Sequence, residues 1–139
     1  IGFIGLGKMG RGMASNLQTK GFSLMVHDVV EAPVAALEAL GAKRGTPAEI
    51  AASCDIVVTV LPTGKEVGEV ILAPGGVLDH AKPGTLILDL STIDPDTTDR
   101  LHEEARRRGM TAVDAPIGRL AWHADRGQSL FMVGAEDAD

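Results

Sequence analysis

Short runs of apolar, β-prone residues alternate along the chain with stretches whose apolar positions recur at helical spacing. The alternation reads as a succession of βαβ units and a mostly parallel sheet. The first run, Ile1 to Ile4, leads into a helix from about Met9. There Met9, Met13 and Leu17 fall at i, i+4 and i+8, and Gly21 is the stop. Phe22 to Val26 reads as the second strand, ending at His27-Asp28. Pro33 suits a first helical position, Val34, Leu37 and Leu40 share one face, and Gly41 ends that helix. Thr46-Pro47-Ala48-Glu49 has capping-box spacing and opens a short helix. Asp55 to Leu61 is apolar throughout after its first residue, the pattern of a strand covered on both faces. Val67, Val70 and Ile71 mark a further helix, followed by the turn Pro74-Gly75-Gly76. Thr85 to Leu90 is the next buried strand. Asp94-Pro95 starts a helix that carries Leu101 and Ala105 and ends on Arg106, Arg107 and Arg108, where cations suit the dipole. Met110 to Val113 and Ser129 to Val133 close the pattern. The expected fold class is α/β, a doubly wound, mostly parallel sheet, in one domain over 1–139.

Composition narrows the function classes. Hydrophobic residues are 45% and charged residues 23% of the 139, which is globular composition and argues against disorder. The net charge of −6 removes the basic surface that non-specific nucleic-acid or anionic-membrane binding needs. No apolar run approaches the roughly 20 residues that span a bilayer. One cysteine, Cys54, excludes an intrachain disulfide framework and a cysteine-cluster zinc site and fits a reducing, cytoplasmic compartment. His27, His80, His102 and His123 lack metal-ligand spacing, so no metal is expected. Ile1 opens directly into an apolar run, and the other end stops just after one. The chain therefore reads as a piece of a larger protein whose leader, if any, lies outside it.

Candidate chemistry begins at Gly5-Leu6-Gly7-Lys8-Met9-Gly10, a G-x-G-x-x-G between an expected strand and an expected helix. In that context Gly5 permits the tight turn, and Gly7 lets backbone approach a pyrophosphate without a Cβ in the way. Gly10 lets the helix pack close, and the helix N-terminus attracts the diphosphate. The bland alternative is a strand-to-helix turn with no ligand. Asp28 ends the second strand near the roughly 20-residue interval at which a carboxylate reads the adenine ribose. Val29 and Val30 follow it, so no arginine stands there to neutralise a 2′-phosphate. NAD is the expected cofactor, with NADP second. The fold this specifies is of the Rossmann type.

Four stretches then resemble one family, the β-hydroxyacid dehydrogenases, which include 3-hydroxyisobutyrate dehydrogenase and tartronate semialdehyde reductase. They are GFIGLGKMGRGMASNLQTKG at 2–21, TVLPTG at 59–64, DLSTIDPDTTDRL at 89–101, and DAPIGR with the ADRGQSLFMVG that follows it. The resemblance implies the N-terminal, nucleotide-binding domain of a two-domain enzyme that is a homo-oligomer at full length. It implies that Lys8 and Met9 face the cofactor phosphates, that Asp28 binds the ribose, and that Leu61 and Pro62 lie along the cofactor. It sets Ser91 beside the substrate and Thr92 beside the nicotinamide. Without the family frame, Leu61-Pro62 is a strand end and Ser91-Thr92 ordinary turn chemistry.

The sequence departs from the family after Asp114-Ala115-Pro116. Val-Ser-Gly-Gly is usual there; Ile117-Gly118-Arg119-Leu120 stands here. A Pro-(Val/Ile)-Gly-Arg segment resembles the sulfolactaldehyde reductases, which implies that Gly118 and Arg119 bind an anionic tail. A guanidinium offers a rigid fork of donors and a permanent charge to such an oxyanion. The expected reaction is hydride transfer between the cofactor and a small anionic aldehyde or its alcohol. The leading pair is 3-sulfolactaldehyde and 2,3-dihydroxypropane-1-sulfonate. Alternatives are 3-hydroxyisobutyrate, 4-hydroxybutyrate or tartronate semialdehyde as substrate, or a non-catalytic dinucleotide-binding module. The family's acid/base lysine comes from the helical domain and has no counterpart within 1–139, so no catalytic residue is expected in this chain. Trp122 and His123 match no family pattern.

Overall fold

A computed structural model describes residues 1–134. Six strands, β1 (Gly2–Ile4), β2 (Met25–His27), β3 (Lys43–Arg44), β4 (Ile56–Thr59), β5 (Leu86–Asp89) and β6 (Thr111–Asp114), form one sheet. Every pairing is parallel and the order is β3-β2-β1-β4-β5-β6. The expected doubly wound Rossmann-type fold is what forms. The strand order reverses between β1 and β4, which opens a crevice at their carboxyl ends.

The apolar runs produce this because the side chains of each strand alternate between two cores. Phe3, Val26 and Val58 pack on one face under α1 (Gly10–Thr19) and α2 (Glu31–Ala39). Ile4, Val57 and Ile87 pack on the other with Ile50, Val67, Val77 and Leu101. Those four come from α3 (Pro47–Ser53), α4 (Gly64–Val67), α5 (Val77–His80) and α6 (Pro95–Arg107). A wider π-type turn, Gly68–Leu72, extends α4 and buries Ile71. The capping box at α3 is present in full. Glu49 N–H donates to the Thr46 hydroxyl oxygen at 3.2 Å, and Thr46 N–H donates to the Glu49 carboxylate at 2.8 Å. That backbone bond holds the Glu49 carboxyl below its ordinary value.

Three expectations shift. The second strand starts at Met25, not Phe22, because the end of α1 claims the intervening backbone. Gly21 N–H donates to Gln18 O, Phe22 N–H donates to Leu17 O, and Gly21 adopts φ +92°. Phe22 is left 48% exposed. The same cap closes α2 at Gly41, so Leu40 falls at the helix end and is exposed rather than on the apolar face. That helix starts at Glu31, which puts Pro33 within the first turn instead of at its first position. The closing run yields only β8 (Leu130–Phe131). It pairs antiparallel with β7 (Ile117–Gly118) in a ribbon apart from the main sheet, with the short α7 (Ala121–Asp125) between them. Leu130, Phe131, Met132 and Val133 remain exposed.

Candidate functional site

The glycine loop connects β1 to α1 at the crevice. Gly5 has φ +97°, and a Cβ built on it would lie 2.2 Å from the Val60 carbonyl oxygen. A Cβ on Gly10 would lie 2.0 Å from the Gly5 carbonyl oxygen, so the helix reaches this close to the loop only because both residues are glycine. Gly7 is different: a Cβ there meets nothing within 4 Å. Packing requires glycine at 5 and 10, and it imposes no such demand at 7. Arg11 N–H donates to Gly7 O at 3.1 Å and tightens the turn. Met9 stands at the N-cap without a side-chain cap, and no acid sits in the first turn of α1. No side chain of the helix start competes for its amide groups.

Asp28 directly follows β2 and is held from both sides. Leu6 N–H donates to Oδ2 at 2.5 Å and Val30 N–H to Oδ1 at 2.8 Å. Each oxygen accepts one bond and keeps a lone pair for another donor. A cleft of about 660 Å³ joins Asp28 to the loop, lined among others by Gly7, Lys8, Arg11, Ser15 and Val30. Beyond the carboxylate, Val29 is 96% exposed. Arg44, which lines a second pocket with Asp28, is ion-paired to Glu31 at 2.5 Å and Glu38 at 2.7 Å. Its hydrogen bond holds the Glu31 carboxyl below the usual range.

On the far side of the crevice the structure brings together Leu61, Pro62, Ser91 and Thr92. Pro62 and Thr92 are exposed. Ser91, expected beside the substrate, carries internal hydrogen bonds. It is buried, its hydroxyl donates to Asp89 Oδ1 at 2.6 Å, and its oxygen accepts Leu61 N–H at 2.9 Å. In this arrangement the hydroxyl proton points to Asp89 and Ser91 braces the turn. Beyond Thr92, Asp94 caps α6 by accepting Thr97 N–H and the Thr97 hydroxyl, both at 2.9 Å. Those bonds hold the Asp94 carboxyl below the ordinary aspartate value.

The substrate segment carries the strained residue. Among the described residues, Arg119 is the one non-glycine with positive φ, at +74°. A side chain there costs about 1–2 kcal/mol against the ordinary helical region. Its Nη1 donates to Gln128 O at 3.0 Å, which leaves four of the five guanidinium donors. Gly118 stands beside it in β7, packed on Leu130. Trp122 and His123, unassigned from the sequence, stack with ring centroids 3.4 Å apart, and the Arg126 guanidinium lies 5.1 Å from the Trp122 ring centroid. His123 Nδ1 accepts Leu120 N–H at 3.2 Å, so these side chains build the start of α7.

Asn16 escaped the sequence reading. Its amide donates to Gly12 O at 2.8 Å, Ala124 O at 2.9 Å and Asp125 O at 3.1 Å, which clamps α7 onto α1. A polar amide among the apolar positions of an otherwise amphipathic helix was the available signal. Asn16→Asp would set a carboxylate against three carbonyl oxygens. The expected result is a loss of about 1–3 kcal/mol in urea unfolding, the cost of unpaired buried groups. An unchanged midpoint would show that the clamp does not bear on stability.

Among the described residues no His, Cys, Asp and Glu side chains group as a metal site, and no helix is long and apolar enough to cross a membrane.

This architecture is shared. The family profile of the NAD-binding domain of 6-phosphogluconate dehydrogenase matches residues 1–139. The 2-(hydroxymethyl)glutarate dehydrogenase of Eubacterium barkeri is 42% identical over 139 residues, 99% of this chain and 46% of that protein. The NAD-dependent L-serine dehydrogenase of Pseudomonas aeruginosa is 41% identical over 137 residues, 98% of this chain and 46% of that protein. The structure of Mycobacterium tuberculosis 3-hydroxyisobutyrate dehydrogenase with L-serine superposes with a TM-score of 0.88 at 31% identity, covering 99% of this chain and 46% of that one. The fold and site define a nicotinamide-dinucleotide-binding domain. The chain belongs to the family of the NAD-binding domain of 6-phosphogluconate dehydrogenase. It spans about half the length of the curated relatives it matches.

Proposed function

We propose that this chain is the cofactor-binding half of an NAD-dependent oxidoreductase that interconverts a small β-hydroxy acid and its semialdehyde. The observation that carries the cofactor reading is the contrast within the glycine loop. Gly5 and Gly10 are required by the chain's own backbone, whereas Gly7 faces open space in the cleft that holds Asp28. The residues fit a dinucleotide. The amide groups at the start of α1, with Lys8, Met9 and Arg11 around them, suit the diphosphate. The lone pairs of Asp28 suit the adenine ribose hydroxyls, and Leu61, Pro62 and Thr92 border the nicotinamide half. Bound there, the nicotinamide supplies or takes up the hydride.

Asp28 sets the choice between NAD and NADP. Its carboxylate, fixed by two amides, repels a 2′-phosphate. The full-length protein is expected to bind NADH more tightly than NADPH by about 1.5–3 kcal/mol, the scale of hydrogen bonds to a charged group. Calorimetric titration of both cofactors decides it, and equal or tighter NADPH binding overturns the assignment.

For the substrate, the relatives converge on one chemistry. 2-(Hydroxymethyl)glutarate, 3-hydroxyisobutyrate and L-serine each carry a primary alcohol β to a carboxylate. A β-hydroxy carboxylate is therefore the substrate class we favour, with Gly118 and Arg119 receiving its anion. Arg119 also supports a second reading, a sulfonate such as 3-sulfolactaldehyde. A guanidinium held at a left-handed position, with four donors to spare, suits a three-oxygen anion as well as a two-oxygen one. Comparing kcat/KM for 3-hydroxyisobutyrate, L-serine, tartronate semialdehyde, succinic semialdehyde and 3-sulfolactaldehyde ranks the two. No turnover of any with either cofactor would leave the dinucleotide-binding module as the surviving function.

A further inference from the structure

Thr59, Asp89 and Ser91 form a buried cluster at the carboxyl ends of β4 and β5, and the cofactor contacts described above leave Asp89 without a task. Backbone hydrogen bonding shows what the cluster holds. Thr59 and Asp89 are neighbours across the sheet. Leu90 N–H donates to Thr59 O and Val60 N–H to Ile4 O, each at 2.9 Å, and these close the ladder. Leu61 N–H lies one step further and takes a side-chain oxygen as its acceptor, Ser91 Oγ at 2.9 Å.

A serine hydroxyl can donate or accept along that line, and only accepting serves Leu61. Asp89 decides the matter. Its Oδ1 receives the Ser91 hydroxyl at 2.6 Å, the Ser91 amide at 3.1 Å and the Thr59 hydroxyl at 2.7 Å. With the hydroxyl proton drawn inward, the Ser91 lone pairs face Leu61. Asp89 is 1% exposed and Thr59 0%, so bulk water does not compete for these bonds. A carboxylate is seldom buried this deeply unless its partners are in place.

The turn held in this way abuts the glycine loop. A Cβ on Gly5 would meet the Val60 carbonyl and lie 3.4 Å from Leu61 Cδ2. Asp28 marks the adenosine end on the β2 side, and a dinucleotide crosses the switch point between β1 and β4. Its second half therefore passes over the ends of β4 and β5. We propose that Asp89 is a positioning residue for the nicotinamide half of the cofactor, acting through Ser91 on the Leu61–Pro62 turn. The inference rests on the cofactor reading proposed above.

The test uses full-length protein with Ser91→Ala, Asp89→Asn and the double variant, and compares binding of NADH with binding of ADP-ribose, which keeps the second ribose and lacks only the nicotinamide. NADH affinity is expected to fall about 10-fold in each single variant, the scale of one lost hydrogen bond with its partner left unpaired, while ADP-ribose affinity stays within about 2-fold. The double variant is expected to be no worse than the more affected single one, because both changes break the same chain of bonds. Equal weakening of both ligands would make the cluster merely structural and overturn the proposal, as would unchanged NADH binding. If Asp89→Asn fails to fold by circular dichroism, Ser91→Ala decides alone. Wild-type protein that binds ADP-ribose and neither NADH nor NADPH would instead defeat the cofactor reading, and the proposal with it.

Discussion

Arg119→Ala in the full-length protein is expected to lower kcat/KM for anionic substrates by roughly 10- to 150-fold, the equivalent of about 1.5–3 kcal/mol for hydrogen bonds to a charged group. Arg119→Lys should recover part of this, because an ammonium keeps the charge and loses the planar fork. An uncharged short aldehyde should be affected little, and NADH binding should not change. Stability is expected to move the other way. Arg119 sits at φ +74°, where a Cβ is strained. Arg119→Gly removes the strain and should raise the unfolding free energy by up to about 1 kcal/mol, less the lost bond to Gln128 O and the added chain entropy. Arg119→Ala keeps the Cβ and should show no such gain. Stability bought at the expense of anion turnover would mark the strain as maintained for function. Equal losses on charged and neutral aldehydes would make Arg119 structural.

How far the chain can be read without its structure depends on what each feature leaves in the pattern. Ile56 to Thr59 and Leu86 to Asp89 were legible because a parallel strand covered on both faces must be apolar at nearly every position. The loop at 5–10 and Asp28 were legible because their spacing follows from the geometry of one strand-turn-helix unit. Elements of one turn, such as α5 and α7, carry too few residues to show a period. The edge strand Lys43–Arg44 is exposed at both positions and leaves no apolar mark. Phe22 misled because its side chain is strand-like while its amide is claimed by the end of α1. At Ser91 the spacing places a hydroxyl at the end of β5, but the direction of its proton depends on Asp89 beneath it. Asn16 joins segments more than 100 residues apart, and no local pattern announces such a contact.

The three glycines of the loop are expected to fail in different ways. Gly10→Ala would put a Cβ 2.0 Å from the Gly5 carbonyl oxygen, so α1 must move away from β1 or the loop must open. Overpacking of this kind costs about 1–3 kcal/mol, occasionally more, and is to be read as a lowered urea midpoint with the protein free of cofactor. Gly5→Ala should be at least as damaging, since it adds the strain of φ +97° to a contact of 2.2 Å with Val60 O. Gly7→Val meets no atom of the protein within 4 Å of its Cβ, and its unfolding midpoint should stay close to wild type. Its cofactor affinity should not. Displacing the diphosphate from the amides of α1 forfeits hydrogen bonds to a charged group, about 1.5–3 kcal/mol or roughly 10- to 150-fold in Kd. Gly7→Ala, with a single methyl, should lie between wild type and valine. The decisive measurement is the pair of numbers for each variant, unfolding free energy without ligand and Kd for NADH. Gly7→Val with both numbers unchanged would mean that the ligand does not approach the loop at this residue, and the diphosphate would have to be placed elsewhere on the crevice.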